Sequence, residues 1–400
     1  MPDPGAAQRR LIALVQILGL SAWFSATAVA PSLRSEWDLT PASEVWLTAS
    51  VQVGFVVGAV LSSSAGLADR LRANRLVAGC AIGAGTSTLA LVVAADGLAL
   101  AVPLRFLTGV FLAGIYPVNM KLMASWSEPV SRGRAFGLLI GCLTLGSALP
   151  HLIAGLGPLP WRAVMLAAAA ASFAAAAIAW LLVRTGPLVS AAVRPRARDA
   201  LEGLRVQRLR LINLGYFGHM WELYAFWTWL PAYVRATSGG EGLSPGWTSV
   251  LVFAVIGLGG LAGAVVGGRV ADRRGRPTAA IGALLLSGSC CLLSPAVFWA
   301  PTLVLVLFLL LWGAAVIADS GVFSTAMSEN AVPDRVGTAL TVQTAVGFSL
   351  TVVAIQLTPL FADLVGWQSV FLLLAPGPAL GAYAMYRFSR LPARGTPAAT

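Results

Sequence analysis

His219 and Glu222 lie three residues apart in the middle of an apolar run over about 209–234. On a helix that spacing puts both side chains on one face. A carboxyl group surrounded by hydrocarbon costs several kcal/mol unless it is neutralised, paired or hydrated, so it marks a cavity or a pathway. A histidine one turn away can exchange a proton with it, which is the chemistry of a proton-coupling site. Two more charged residues sit inside apolar runs. Arg105, in a run over about 97–123, shares a stripe with Gly109, Tyr116 and Asn119. An arginine there either binds an anionic group, pairs an acid, or extends its stem to the membrane surface. Asp319, in a run over about 301–325, is placed to couple protons or to cap a helix.

Uncharged candidates surround these. Gln16, Trp23 and Thr27 share a stripe in a run over about 10–31, and Trp227 is the counterpart of Trp23 later in the chain. Tyr224 and Trp227 are deep enough to line a pocket, whereas Trp229 and Trp247 read as an interfacial belt or packing. His151 reads as structural, and Gln343 is a further polar candidate.

The elements that carry these residues follow from composition. The 400 residues are 58% hydrophobic and 11% charged, with a mean hydropathy of +0.80. Soluble domains carry about 25% charged residues, so a soluble enzyme, a disordered chain and a disulfide scaffold are excluded. The four cysteines lie inside apolar runs without metal-type spacing, and no cofactor is implied. A spanning helix needs roughly 20 apolar residues. Twelve such runs are expected, at about 10–31, 44–66, 75–95, 97–123, 134–156, 161–183, 209–234, 246–268, 277–298, 301–325, 336–360 and 367–388. The first reads as a retained helix and not as a cleaved signal peptide.

The net charge of +11 comes from arginines clustered between the runs, with Lys121 the one lysine. No contiguous basic face exists for nucleic acid. With the N-terminus inside, all but Arg34, Arg105, Arg162 and Arg235 of the 27 basic residues fall on the inner side. Both termini are therefore expected in the cytoplasm, in a multi-pass protein of the cell (inner) membrane. The polar stretch 185–208 reads as a cytoplasmic linker between an N-terminal six-helix bundle (1–184) and a C-terminal one with a short tail (209–400).

The halves repeat. Ala68-Asp69-Arg70 follows the second run and Ala271-Asp272-Arg273 follows the eighth, 203 residues later. Gly133 and Gly337 precede the fifth and eleventh runs, and Trp161 and Trp367 open the sixth and twelfth. Duplicated halves place a binding site at their interface near the bilayer midplane. An aspartate at the inner end of one helix, facing the N-terminus of a helix from the other half, would latch that side shut.

With these residues in place the chain resembles the major facilitator superfamily over essentially its whole length. The family's loop motif Gly-x-x-x-Asp-Arg-x-Gly-Arg is matched by Gly268, Asp272, Arg273, Gly275 and Arg276. The first-half copy keeps Asp69 and Arg70 but has Arg72 in place of the glycine. Arg105, Gly109 and Pro117 resemble the fourth-helix motif. The resemblance implies an all-α integral membrane protein of twelve transmembrane helices in two six-helix bundles. Helices 1, 4, 7 and 10 would line a central cavity, and the two loop copies would gate it. The family's drug-efflux, nitrate and sugar-porter signatures are missing. A monomeric secondary transporter for a small organic anion or zwitterion, driven by protons in uptake, is the expectation. The alternatives are proton-antiport efflux of drugs or metabolites, a membrane substrate sensor, and a polytopic membrane enzyme for which no catalytic constellation is readable.

Overall fold

The computed structural model describes residues 4–128, 132–157, 159–188, 205–237, 243–332 and 335–392. Every regular element among them is helical, as a chain in lipid requires if each backbone polar group is to be satisfied within its own segment. Most of the 185–208 linker lies outside the described residues.

Among the described residues ten helical stretches are long and apolar enough to cross a membrane. Five lie in each half, from Ala42–Ser64 to Trp161–Leu181 and from Pro245–Arg274 to Trp367–Ser389. The two remaining runs expected from the sequence are also helical but depart from that pattern. The first is broken: Pro4–Leu20 ends in a turn, and Ser25–Ala28 and Ala30–Glu36 follow. The seventh, Gln207–Ala236, is one continuous helix of 30 residues whose apolar character is diluted by His219, Glu222 and three arginines. The outside of the bundle is apolar, with Leu364 82% exposed, while Arg105 inside is 0% exposed. This inversion of soluble-protein burial is what a lipid solvent selects.

Breaks repeat across the halves. The fourth span is interrupted between Leu98–Leu112 and Tyr116–Ser125, and the tenth between Thr302–Ala315 and Ser320–Asn330. Glycines bring backbones together beside both: a Cβ at Gly109 would meet the Val51 carbonyl oxygen at 2.0 Å, and one at Gly267 the Ala318 oxygen at 1.8 Å. Small residues at such crossings let membrane helices pack without a hydrophobic driving force.

The halves meet along two seams. Arg132–Gly155 runs along Pro245–Phe253 and Gly260–Arg274, and Trp46–Ser64 runs along Val336–Val365. Both ends of the described chain reach the same end of the bundle, called here the terminal end. There Gln8 bonds the Leu182 carbonyl and Arg208 that of Pro392. At the far end Glu36 accepts from the Trp161 indole at 2.5 Å and from Arg162 at 2.9 Å, clasping the first span to the sixth.

Candidate functional site

Between the Gln207–Ala236 and Ser320–Asn330 helices, His219 Nδ1 lies 2.9 Å from Asp319 Oδ1, with both side chains 1% exposed. The contact is close but not aligned as a hydrogen bond. Neither Asp319 oxygen nor His219 Nε2 has a hydrogen-bond partner among the described residues. Asp319 immediately precedes the Ser320–Asn330 helix without capping it. A buried carboxylate left in this state is an incomplete polar site.

The pairing of His219 with Glu222 expected from their spacing is not formed. The spacing leaves both on one side of the helix, but each side chain is taken by different partners on the neighbouring spans. Glu222 turns into the C-terminal half, where Ser287 Oγ donates to it at 2.8 Å, Trp312 Nε1 at 2.7 Å and Cys291 Sγ at 3.4 Å. Spacing on one helix cannot show what the neighbouring helices offer. Trp312 stands two turns before Asp319, so the two carboxyl groups occupy successive layers between the same pair of spans.

The N-terminal half carries a neutral counterpart. Asn119 Nδ2 donates to Gln16 Oε1 at 2.8 Å, and Gln16 precedes His219 by 203 residues. Gln343 Nε2 donates to Asn213 Oδ1 at 3.1 Å. Tyr116, half-buried, opens the helix that carries Asn119.

Arg105 neither faces an acid nor reaches the surface. It donates to the carbonyls of Leu47 (3.0 Å), Ala22 (2.9 Å) and Trp23 (2.5 Å) and to Ser25 Oγ (3.2 Å). Among the described residues no carboxylate lies within ion-pair distance of it. It bridges the Ala22 and Trp23 carbonyls at the break in the first span to the Leu47 carbonyl of the second, a cation where the first helix ends. The sequence could not show this, because it does not show the break.

Trp23, Phe24 and Phe55 from the first half meet Tyr224, Trp227 and Phe348 from the second in a layer that closes the middle of the molecule. Phe55 and Phe348 are 4.4 Å apart between ring centroids, Tyr224 and Phe348 5.1 Å, and Trp23 and Tyr224 5.7 Å. Phe55 and Phe348 were missed in the sequence, where an isolated phenylalanine in an apolar run carries no signal. Toward the far end a cavity of about 660 Å³ opens between the halves, walled by Thr27, Thr48, His151 and Thr228 among others. Arg34, Arg235 and Glu44 ring it, and Arg34 pairs with Glu44 at 2.5 Å. His151, read as structural, is part of this wall and its Nε2 has no partner among the described residues. Trp229 packs inside and donates to the Ile355 carbonyl at 2.9 Å, while Trp247 is exposed.

At the terminal end the seams are shut. Ser63 Oγ and Thr341 Oγ1 are 3.0 Å apart across the second and eleventh spans. Asp272 stands at the start of the Arg132–Gly155 helix, 3.0 Å from where a Cβ on Gly133 would be. Arg276 ties Asp272 (2.8 Å) to Glu329 (3.2 Å), around a Gly275 whose φ of 88° suits glycine. Arg273 is exposed. In the first-half copy the helix ends at Ser64, Gly66 takes a φ of 63°, and Arg70 is exposed; the Asp69 side chain lies outside the described residues.

The sequence profile of the Major Facilitator Superfamily matches residues 12–355. Over 281 residues the chain is 29% identical to a chloramphenicol resistance protein of Streptomyces lividans, covering 66% of this chain and 67% of that one. It is 27% identical over 301 residues to a gallate transporter of Pseudomonas putida (66% and 65%). It is 24% identical over 295 residues to a probable sulfoacetate transporter, SauU, of Cupriavidus necator (68% of each). The matched regions thus span about two thirds of each relative. In three dimensions the chain superposes on the crystal structure of the human organic anion transporter MFSD10 (TETRAN) with a TM-score of 0.68, over 96% of this chain and 100% of that one at 16% identity. That likeness carries the fold.

Proposed function

Because the chain belongs to the Major Facilitator Superfamily, we propose that it is a twelve-span secondary transporter that carries a small organic anion inward with a proton by alternating access. The terminal end faces the cytoplasm in this reading, in line with the arginine distribution. The observation that carries the proposal is the buried His219–Asp319 couple, an incomplete polar site between two spans that rocking halves would alternately hydrate. The cavity supports an anionic cargo: among the described residues its wall carries the two arginines Arg34 and Arg235 against one acid, Glu44. Two relatives are named for gallate and sulfoacetate, both organic acids. One chain supplies both halves of the site, so a monomer suffices.

The experiment is uptake of labelled gallate and sulfoacetate into proteoliposomes held acid outside. Accumulation that a protonophore collapses supports the reading; accumulation indifferent to the gradient overturns it. The similarity to a chloramphenicol resistance protein favours a second reading, proton-driven export. Chloramphenicol leaving right-side-out vesicles against its gradient, with no acid accumulated, would select export.

Alternating access also predicts the effect of a cross-link. Ser63→Cys with Thr341→Cys places two thiols where the hydroxyl oxygens are 3.0 Å apart, within reach of a disulfide after a small shift. Oxidation is expected to reduce transport at least tenfold by holding the terminal end shut, and a reductant to restore it. Undiminished transport by the cross-linked protein would show that this seam need not open.

A further inference from the structure

Two indoles in the aromatic layer stand apart from the other fully buried tryptophans. Trp161, Trp229 and Trp312 each donate their N–H to an oxygen. Trp23 and Trp227, both 0% exposed, donate to nothing among the described residues. Gln52 is also 0% exposed, with neither end of its carboxamide partnered. It lies on the stripe Thr48–Gln52–Phe55, one turn below the cavity wall and one turn above the layer. Thr27, four residues after Trp23, and Thr228, the neighbour of Trp227 in sequence, also stand on the wall. Buried donors without acceptors are rare and costly. Two of them in the aromatic layer and a third one turn above it, beneath a cavity between the two halves, mark groups that await an acceptor.

Behind them sits Arg105, whose guanidinium bonds the Trp23 carbonyl and has no carboxylate among the described residues. A buried cation without a counter-ion makes this level attractive to an anion. The rings supply the rest: flat faces from both halves spaced 4.4–6.1 Å between centroids, which prefer an aromatic neighbour to a saturated one.

We propose that this layer is the specificity-determining subsite and that it takes a planar aromatic carboxylate. The ring of the substrate enters the stack, and its carboxylate accepts from Trp23 Nε1, Trp227 Nε1 and the Gln52 amide. This rests on the anion-transport reading above and narrows its cargo. Sites built around unpaired donors reject analogues that cannot fill them, so an aliphatic acid is a poor cargo even though its charge is right.

The test is calorimetric binding of benzoate, cyclohexanecarboxylate and sulfoacetate to the purified protein, with melting temperatures recorded alongside. Benzoate is expected to bind at least tenfold more tightly than cyclohexanecarboxylate, which matches it in charge and nearly in size. Gln52→Leu is expected to weaken benzoate at least tenfold while raising the melting temperature, because it removes an unpartnered buried amide. A purely structural glutamine would lower that temperature. Trp227→Phe, which keeps a ring and loses the donor, is expected to weaken benzoate several-fold. Equal binding of the two ring acids, or unchanged benzoate affinity in Gln52→Leu, overturns the subsite. Tight sulfoacetate with weak benzoate overturns it too, but leaves the anion-transport reading standing. If none of the three acids binds and none is transported, that reading falls and the subsite with it.

Discussion

Asp319→Asn is expected to abolish gradient-driven accumulation, a loss of at least a hundredfold, while exchange of labelled for unlabelled substrate across the membrane stays within about twofold of wild type. The asparagine is nearly isosteric and still faces His219 Nδ1, 2.9 Å away in the native protein, so packing changes little. What it removes is the one group of the couple able to be an anion. Exchange needs the halves to rock with cargo aboard and consumes no gradient; accumulation needs the proton to be taken and released on opposite sides. Parallel measurement of uptake and exchange separates the two. His219→Gln should give the same split, since it breaks the couple from the other side. Wild-type accumulation in either variant would place the coupling elsewhere, with Glu222 the next carboxyl to test.

Arg105→Leu is expected to destabilise the protein by about 3 kcal/mol or more, which would show as a clear drop in melting temperature in detergent. The side chain holds two backbone carbonyls and one hydroxyl at the break in the first span and the Leu47 carbonyl of the second. Leucine withdraws these bonds, at about 1–3 kcal/mol for each acceptor left without another donor, offset in part by removal of a buried charge. Arg105→Lys keeps the charge but has no fork to bridge four acceptors, and should fall between the two. Melting curves in detergent read the difference. A leucine variant as stable as wild type would mean that the break needs no cation.

What the sequence made legible divides along a physical line. Apolar runs and their punctuation are set by bilayer thickness, so the ten apolar stretches fall where the runs do. The penalty for a charge in hydrocarbon is equally local, and it picks out Arg105, His219, Glu222 and Asp319 without a structure. Partners are not local. Asp319 faces His219 because the break in the tenth span sets it against the continuous seventh, and Glu222 is met by Ser287, Cys291 and Trp312 from two other spans. Gln52 and Phe348 passed unnoticed for the same reason. A glutamine in an apolar run is ordinary until the helix opposite fails to answer it.

Proton movement bears most directly on the central claim. Proteoliposomes loaded with a pH-sensitive dye, unbuffered inside and given gallate outside, should acidify at a rate proportional to gallate entry and well above that of protein-free vesicles. The Asp319→Asn protein should admit gallate only by exchange, with no acidification beyond that of protein-free vesicles. Gallate entering the native protein at full rate with no proton accompanying it would contradict the account.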